Sequence, residues 1–396
     1  MRDTPFGTDF AAHSPQSLGI PAPASFRIDT EEQPDIPSLN ALALRSLRSL
    51  FDERENLFVE RVTLQQDGYR RAATSRKQTI IALLGLHRLA ELGGTQPFDL
   101  AAIRDAAFRD RSWVKTAGEL GLLTWFAAVC LPDRLGLVLE EFDFENALTK
   151  FADGREARTE GLAWFLAGLA HAALARRESL SRLTDVAAGA YRLLQENQGH
   201  TGVFGHAGSA RFPLRTACKR FGTFSDQVSA IYSLSMFAKA FEIDEPLESA
   251  LACANAMCAL QGELGQWWFL YDKRTCRVVK HYPVLSPHQD GTAPFALLTL
   301  AKETGRGFQK AIAKGLSWIA GANELGSDLR NFDQQFIWDS IGPIGRLAEY
   351  REAVLDYLTP FRKAGAASLS VRHEARPEHF GWLLCAFGNL GLPRST

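Results

Sequence analysis

The sequence predicts an all-α protein, an α/α toroid in which helical hairpins ring a central cavity, with one short β-hairpin and a flexible N-terminal arm. Three observations carry this. Helix-length amphipathic segments dominate from about Ser38 onward, and strand candidates are few. A weak internal repeat runs through the middle of the chain. Several helical segments are rich in small residues, as in GLAWFLAGLAHAALA and TAPFALLTLA, a composition suited to an inner layer packed around an axis. An irregular bundle or solenoid is the alternative arrangement of the same helices.

Residues 1–38, rich in Pro, Ser, Thr and acid, are expected as the arm, and 39–396 as a single toroid domain. Helical periodicity covers Lys77–Leu92, Val114–Val129, Thr159–Ala175, Leu180–Gln195, Gln227–Phe241, Leu247–Leu260, Ala293–Thr304, Gly307–Ala320, Gln335–Ile341, Ile344–Leu358 and Glu378–Leu390. Gly93, Gly199, Gly305 and Gly391 stand where left-handed caps would end such helices. Phe269–Tyr271 and Arg277–Val279 are the expected hairpin.

Composition narrows the function classes. A net charge of −1 argues against a nucleic-acid or membrane-surface binder. No segment reaches the ~18 apolar residues of a membrane span. The N-terminus has no hydrophobic core of a secretory signal. Six cysteines, at 130, 218, 253, 258, 276 and 385, are scattered without a CxxC and read as reduced thiols. Cys253 and Cys258 fall on different sides of a helix, so a zinc pair is not expected there. A cytoplasmic protein with no metal or cofactor is the expectation.

The repeat compares Tyr191–Phe204 with the segment from Ala256. Gln195 aligns with Gln261 and Gly199 with Gly265. In each copy a helix ends in Gln, a Gly-rich turn and an aromatic follow, and another helix begins. Those next helices open with Ser225-Asp226-Gln227, His288-Gln289-Asp290-Gly291 and Phe332-Asp333-Gln334-Gln335. Small-residue helices centred near 82, 122, 167 and 383 are candidate further copies. Gln261-xxx-Gly265-x-Trp267 resembles the QW repeat of the terpenoid-cyclase and prenyltransferase α/α-toroid superfamily. The Gln195 copy departs from it, with Phe204 in place of Trp and at another spacing. Six-hairpin glycosidases, epimerases and lyases share the architecture, and fold likeness does not fix chemistry.

In a toroid, residues just before each inner helix line one mouth of the cavity. Asp226, Gln227, His288, Gln289, Asp290, Asp333 and Gln334 would converge there, with Glu378 and His379 as further candidates. Carboxylates and a histidine around one cavity supply general acid and base groups. Helix capping is the competing explanation for Asp226 and Asp333, worth about 1 kcal/mol each. Trp268 and Tyr271 offer faces for stacking on a substrate, whereas Trp267 fits the structural use of a QW repeat. Arg211, Arg215, Lys219 and Arg220 could receive an anionic group or form a solvated basic loop. His200 and His206 are read as exposed.

Neither DxDD nor DDxxD is present, nor a P-loop, GxSxG or HExxH, and no adjacent Cys-His pair is found. The favoured reading is a carbohydrate-active enzyme, a hydrolase, lyase or epimerase, with an acidic sugar among the candidate substrates. Asp290 and Asp226 would act as acid and base and His288 as proton shuttle or orienter. A small molecule or oligosaccharide would be the partner. Two alternatives stand beside it: a terpenoid-cyclase-like or prenyl-transferring enzyme, and a non-catalytic glycan- or partner-binding toroid.

Overall fold

The computed structural model describes residues 35–153, 158–176, 180–206, 219–344 and 369–388. The expected arm lies outside them, except that the first helix starts inside it. This helix, α1 (Ile36–Leu50), is capped by Asp35, whose carboxylate accepts from Ser38 N at 3.1 Å.

Helices then alternate between two layers. The inner layer is α2 (Arg76–Glu91), α4 (Ala117–Cys130), α7 (Thr159–Ala175), α9 (Phe224–Phe241), α11 (Ala293–Thr304) and α13 (Pro377–Phe387). Each packs on the next, and α13 packs back on α2, so the ring closes. The outer layer is α1, α3 (Leu100–Arg109), the pair α5 (Leu135–Glu141) and α6 (Phe144–Ala152), α8 (Leu180–Glu196), α10 (Glu245–Leu260) and α12 (Gln309–Ile319). Inner helices such as α4 and α9 are buried on nearly every side, as helices covered all round must be. The expected all-α toroid is the observed fold.

The small residues of the inner layer have a steric reason. A Cβ on Gly85 would lie 2.3 Å from the Gly381 carbonyl oxygen, at the seam that closes the ring. A Cβ on Gly121 would lie 2.3 Å from Phe165 Cα, and one on Gly168 would lie 2.2 Å from Gly121 O. Backbones touch here, and van der Waals packing leaves no room for a methyl group.

The repeat is real, but its register is 63 residues rather than 66. Gln198 Nε2 donates to the carbonyls of Gly202 and Ser249, both at 2.9 Å. Gln261 Nε2 does the same to Gly265 at 3.0 Å and Ala311 at 2.9 Å. The matched sequences are Gln198-Gly199-His200-Thr201-Gly202-Val203-Phe204 and Gln261-Gly262-Glu263-Leu264-Gly265-Gln266-Trp267. Phe204 therefore stands at the same spacing as Trp267, correcting the alignment through Gln195. Gly202 and Gly265 have φ of 88° and 101°, which explains why each is glycine. Each glutamine ties the end of one outer helix to the first turns of the next.

There is more β-structure than the single hairpin expected. Among the described residues, five small antiparallel sheets decorate the ring. The anticipated hairpin is present as Leu270–Asp272 against Arg277–Lys280. Gln335–Ile341 is not a helix: Phe336–Ile337 pairs with Arg330–Asn331, and Ser340–Pro343 forms a further strand. The turn is set by Asn331, whose side chain accepts from Gln334 N at 2.8 Å, and by Gln335 at φ 61°. Most of the expected helix Ile344–Leu358 lies outside the described residues. No helix is long and apolar enough to cross a membrane, among the residues described.

Candidate active site

The N-termini of the inner helices meet at one mouth of the ring, and side chains join neighbouring helices there. Asp226 Oδ1 accepts from Glu160 N at 3.0 Å, linking α9 to α7. Ser225 Oγ and His288 Nε2 are 3.1 Å apart, linking α9 to the turn before α11. That turn, His288–Thr292, is π-helical, an irregularity frequent at functional sites. Asp290 Oδ1 and His379 Nε2 are 2.7 Å apart, linking it to α13. Gln78 Oε1 accepts from Glu378 N at 2.9 Å, linking α13 to α2.

Inside this mouth lies a pocket of about 50 Å³, room for a few water molecules. Its aromatic wall is Trp125, Trp164, Tyr232, Phe295 and Trp382, and its polar wall is Glu160, Ser225, Ser229 and Thr292. The floor is a stack. Trp125 lies 4.9 Å from both Tyr232 and His171 between ring centroids, and Phe295 lies 4.5 Å from Tyr232. Tyr232 Oη and His171 Nε2 are 2.8 Å apart beneath it. Burial, followed by the Lys239 charge, pushes His171 down to about 3, so it is neutral.

The electrostatics single out Glu160. Burial first, and then the charges of Asp226 and Glu378, raise its carboxyl to about 7, against the opposing pull of Lys77 and Arg158. Glu378 is also raised by burial, and Lys77 and Arg376 oppose that rise. α7 and α13 are third and sixth in the ring, and the Lys77 charge acts on the carboxyls of both. Lys77 on α2 rests its ammonium 4.9 Å from the centroid of the Trp164 ring.

The expected residues fare differently. Asp226, Gln227, His288, Gln289 and Asp290 do come together at the mouth, all buried. Asp226 is saturated: besides Glu160 N, it accepts from Thr223 N at 2.8 Å and Thr223 Oγ1 at 2.7 Å, and meets His206 Nδ1 at 2.8 Å. It is the third residue of a capping box whose cap is Thr223, and these four bonds commit it to holding the helix starts together. His206 is therefore not a free loop residue; the hydrogen bond to Asp226 raises its pKa. Gln227 is consumed by the Phe204 backbone, accepting from its N–H at 2.8 Å and donating to its carbonyl at 2.9 Å. Gln289 repeats this, in the amide orientation that donates to Gly265 O at 2.9 Å and accepts from Trp267 N at 3.2 Å. His288 is pushed down to about 3 by burial and by His379, so it is neutral at physiological pH. Asp290 is fully buried and raised by burial, and its Oδ2 has no protein partner.

Others lie elsewhere. Trp268 meets His281 and Tyr282 edge-on, and Tyr271 is buried beside Phe224, so neither is on the pocket wall. Asp333 and Gln334 are exposed at the tip of a hairpin, because the segment turns there instead of opening a helix. Arg211 and Arg215 lie outside the described residues. Among those described, no cluster of three His, Cys, Asp or Glu could hold a metal ion.

The sequence reading missed Glu160. Its signal was available: Thr159-Glu160-Gly161 opens an inner helix just as Ser225-Asp226-Gln227 does.

No family model matches the sequence, and no curated protein resembles it at the sequence level. Solved structures do resemble its shape. An unsaturated glucuronyl hydrolase specific for heparin superposes with a TM-score of 0.58 at 14% identity, over 89% of this chain and 96% of that one. A sugar epimerase from a ruminal bacterium gives 0.56 at 10% identity, over 90% and 99%. An unsaturated glucuronyl hydrolase from Streptococcus agalactiae gives 0.56 at 11%, over 92% and 96%. The fold is a six-hairpin α/α toroid. At such identities the likeness concerns fold alone.

Proposed function

We propose that this protein is a carbohydrate-active enzyme that works by carboxyl acid–base catalysis at the inner-helix mouth. One observation carries the reading: a carboxyl raised to about 7, Glu160, stands on the wall of a tryptophan-lined pocket. A general acid is most effective with a pKa near the working pH. In this reading Glu160 protonates the departing oxygen and Glu378 takes the proton of the attacking water. Trp125, Trp164 and Trp382 receive a sugar face or substituent. Asp290 and His379 hold the π-helical turn against α13 and so position Thr292 and Trp382. Sugar-active proteins among the structures of similar shape support the class. Lys77 and Arg158 beside Glu160 favour an acidic sugar.

The aromatic wall also favours a second reading, a prenyl or terpenoid substrate whose cationic intermediate would sit on the rings. Neither such a chain nor a sugar ring enters a pocket of about 50 Å³ without opening, so its volume does not separate the readings; the hydroxyls of Ser225, Ser229 and Thr292 on its wall favour the sugar.

Purified protein and its Glu160→Gln variant, incubated with uronyl oligosaccharides, neutral oligosaccharides and prenyl diphosphates, separate these readings by mass spectrometry. Runs in heavy water reveal epimerisation. Turnover of a glycan that Glu160→Gln abolishes is expected; turnover of prenyl diphosphates alone, or a glycan turned over equally by the variant, overturns the proposal.

A further inference from the structure

Lys77 places its ammonium on an aromatic face of another inner helix, and this gives it a singular place. It belongs to the first turn of α2, and α4 stands between α2 and α7 in the ring. Its side chain nevertheless spans the mouth and puts its ammonium on the face of Trp164, an α7 residue of the pocket wall. Glu160 lies four residues before Trp164, on the same face of α7. Gln78, the next residue after Lys77, holds the backbone of Glu378. One amine thus acts on two carboxyls at the mouth, Glu160 and Glu378.

We infer that Lys77 is the specificity-determining residue of the site, which selects a sugar bearing a carboxylate and couples its binding to protonation of Glu160. The inference rests on the carbohydrate reading of the same pocket. The charge balance explains the coupling. The groups acting on Glu160 are Asp226 on α9, Glu378 on α13, Lys77 on α2 and Arg158 at its own helix start. Glu119, in the first turn of α4, is turned to its own cap, accepting from Lys115 N and Thr116 N. His206 is held by Asp226. A carboxylate that pairs with Lys77 removes the main cation opposing protonation and adds an anion. Glu160 then takes a proton from solvent and enters the reaction as the acid. A neutral sugar leaves Lys77 where it is and produces no such uptake. Arg158 is exposed and outside the pocket wall, so it is the weaker candidate for this role.

Calorimetric titration of the full chain with glucuronic acid and with glucose, at pH 7 in two buffers of different ionisation enthalpy, tests this. Glucuronic acid should bind about 10-fold more tightly than glucose, as one charge-assisted pair provides. It should take up about half a proton per site, since a carboxyl with a pKa near 7 is half-protonated at that pH. Lys77→Met should bring the two affinities within about 2-fold, while Lys77→Arg keeps the preference. Glu160→Gln should bind glucuronic acid without proton uptake. An unchanged preference in Lys77→Met, or no uptake by the parent protein, overturns the inference. If both sugars bind equally, only the role of Lys77 falls. If neither binds, the carbohydrate reading falls with it.

Discussion

Asp226 Oδ1 accepts a hydrogen bond from the backbone N–H of Glu160 at 3.0 Å, so the acid that completes the capping box of one inner helix fixes the start of its neighbour. The same contact sets a buried carboxylate beside the Glu160 side chain and helps to raise it. Structure and reactivity at this mouth are therefore one arrangement.

Asp226→Asn should destabilise the fold by about 2–3 kcal/mol, the cost of stripping a charged acceptor from a buried network. Urea unfolding measures the loss. The pKa of His206, raised by its bond to Asp226, should fall in the variant, as NMR titration would report. In the parent protein the His206–Asp226 bond adds stability below the unfolded histidine pKa of 6.5, which disappears as pH rises through the higher folded value.

Glu160→Gln should lower turnover by at least about 100-fold, the usual contribution of a general acid, with the fold intact. Stability provides a second readout. A carboxyl with a folded pKa of about 7 and an unfolded value of 4.5 binds its proton more tightly when folded. Stability therefore falls as pH rises from about 4.5 to 7. Glu378 and Asp290 share that sign, so the variant should flatten the slope without abolishing it.

His379→Ala leaves the Asp290 carboxyl buried without its partner, and should cost about 3–5 kcal/mol. Asp290→Asn retains an acceptor for His379 and should cost less. A double-mutant cycle should show coupling above about 0.5 kcal/mol; strictly additive losses would mean the pair contributes nothing as a pair.

Gly121→Ala should destabilise by at least about 3 kcal/mol, because the methyl meets the Phe165 backbone and the inner helices cannot part without opening the ring. Gly305→Ala is the control. Gly305 ends α11 at φ 69° with open space around it, so alanine pays only the left-handed penalty of about 1–2 kcal/mol. Thermal and denaturant unfolding of both variants would check the ranking.

The toroid was legible because its cause is local: glycine and alanine at helical spacing can be read directly, and Gly118, Gly121 and Gly168 are where backbones touch. The mouth was half legible. Asp226, Gln227, Gln289 and Asp290 were found because polar clusters at helix starts are conspicuous, but capping and backbone pairing use up most of them. Glu160 was hidden because a lone acid in a first helical turn is what the helix dipole ordinarily favours. Its raised pKa comes from burial, Asp226 at position 226 and Glu378 at position 378, and distance along the chain conceals that. The repeat slipped by three residues because Gln195 also lies near a helix end, and only the bonds of Gln198 choose between them. Gln335–Ile341 read as helix because the turn that precedes it depends on Asn331 and Gln335 rather than on glycine or proline.

The seam where α13 packs on α2 has a consequence for how the protein comes into being. Asn40 Nδ2 donates to the Phe387 carbonyl at 2.9 Å, bridging 347 positions of sequence. An emerging chain holds α1 and α2 long before it holds the helix that covers them. Until then the apolar sides of α1 and α2 that α13 covers lie open to water. Closure of the ring joins distant segments at a large loop-entropy cost, which predicts slow acquisition of the native state and a late, exposed intermediate that chaperones would recognise.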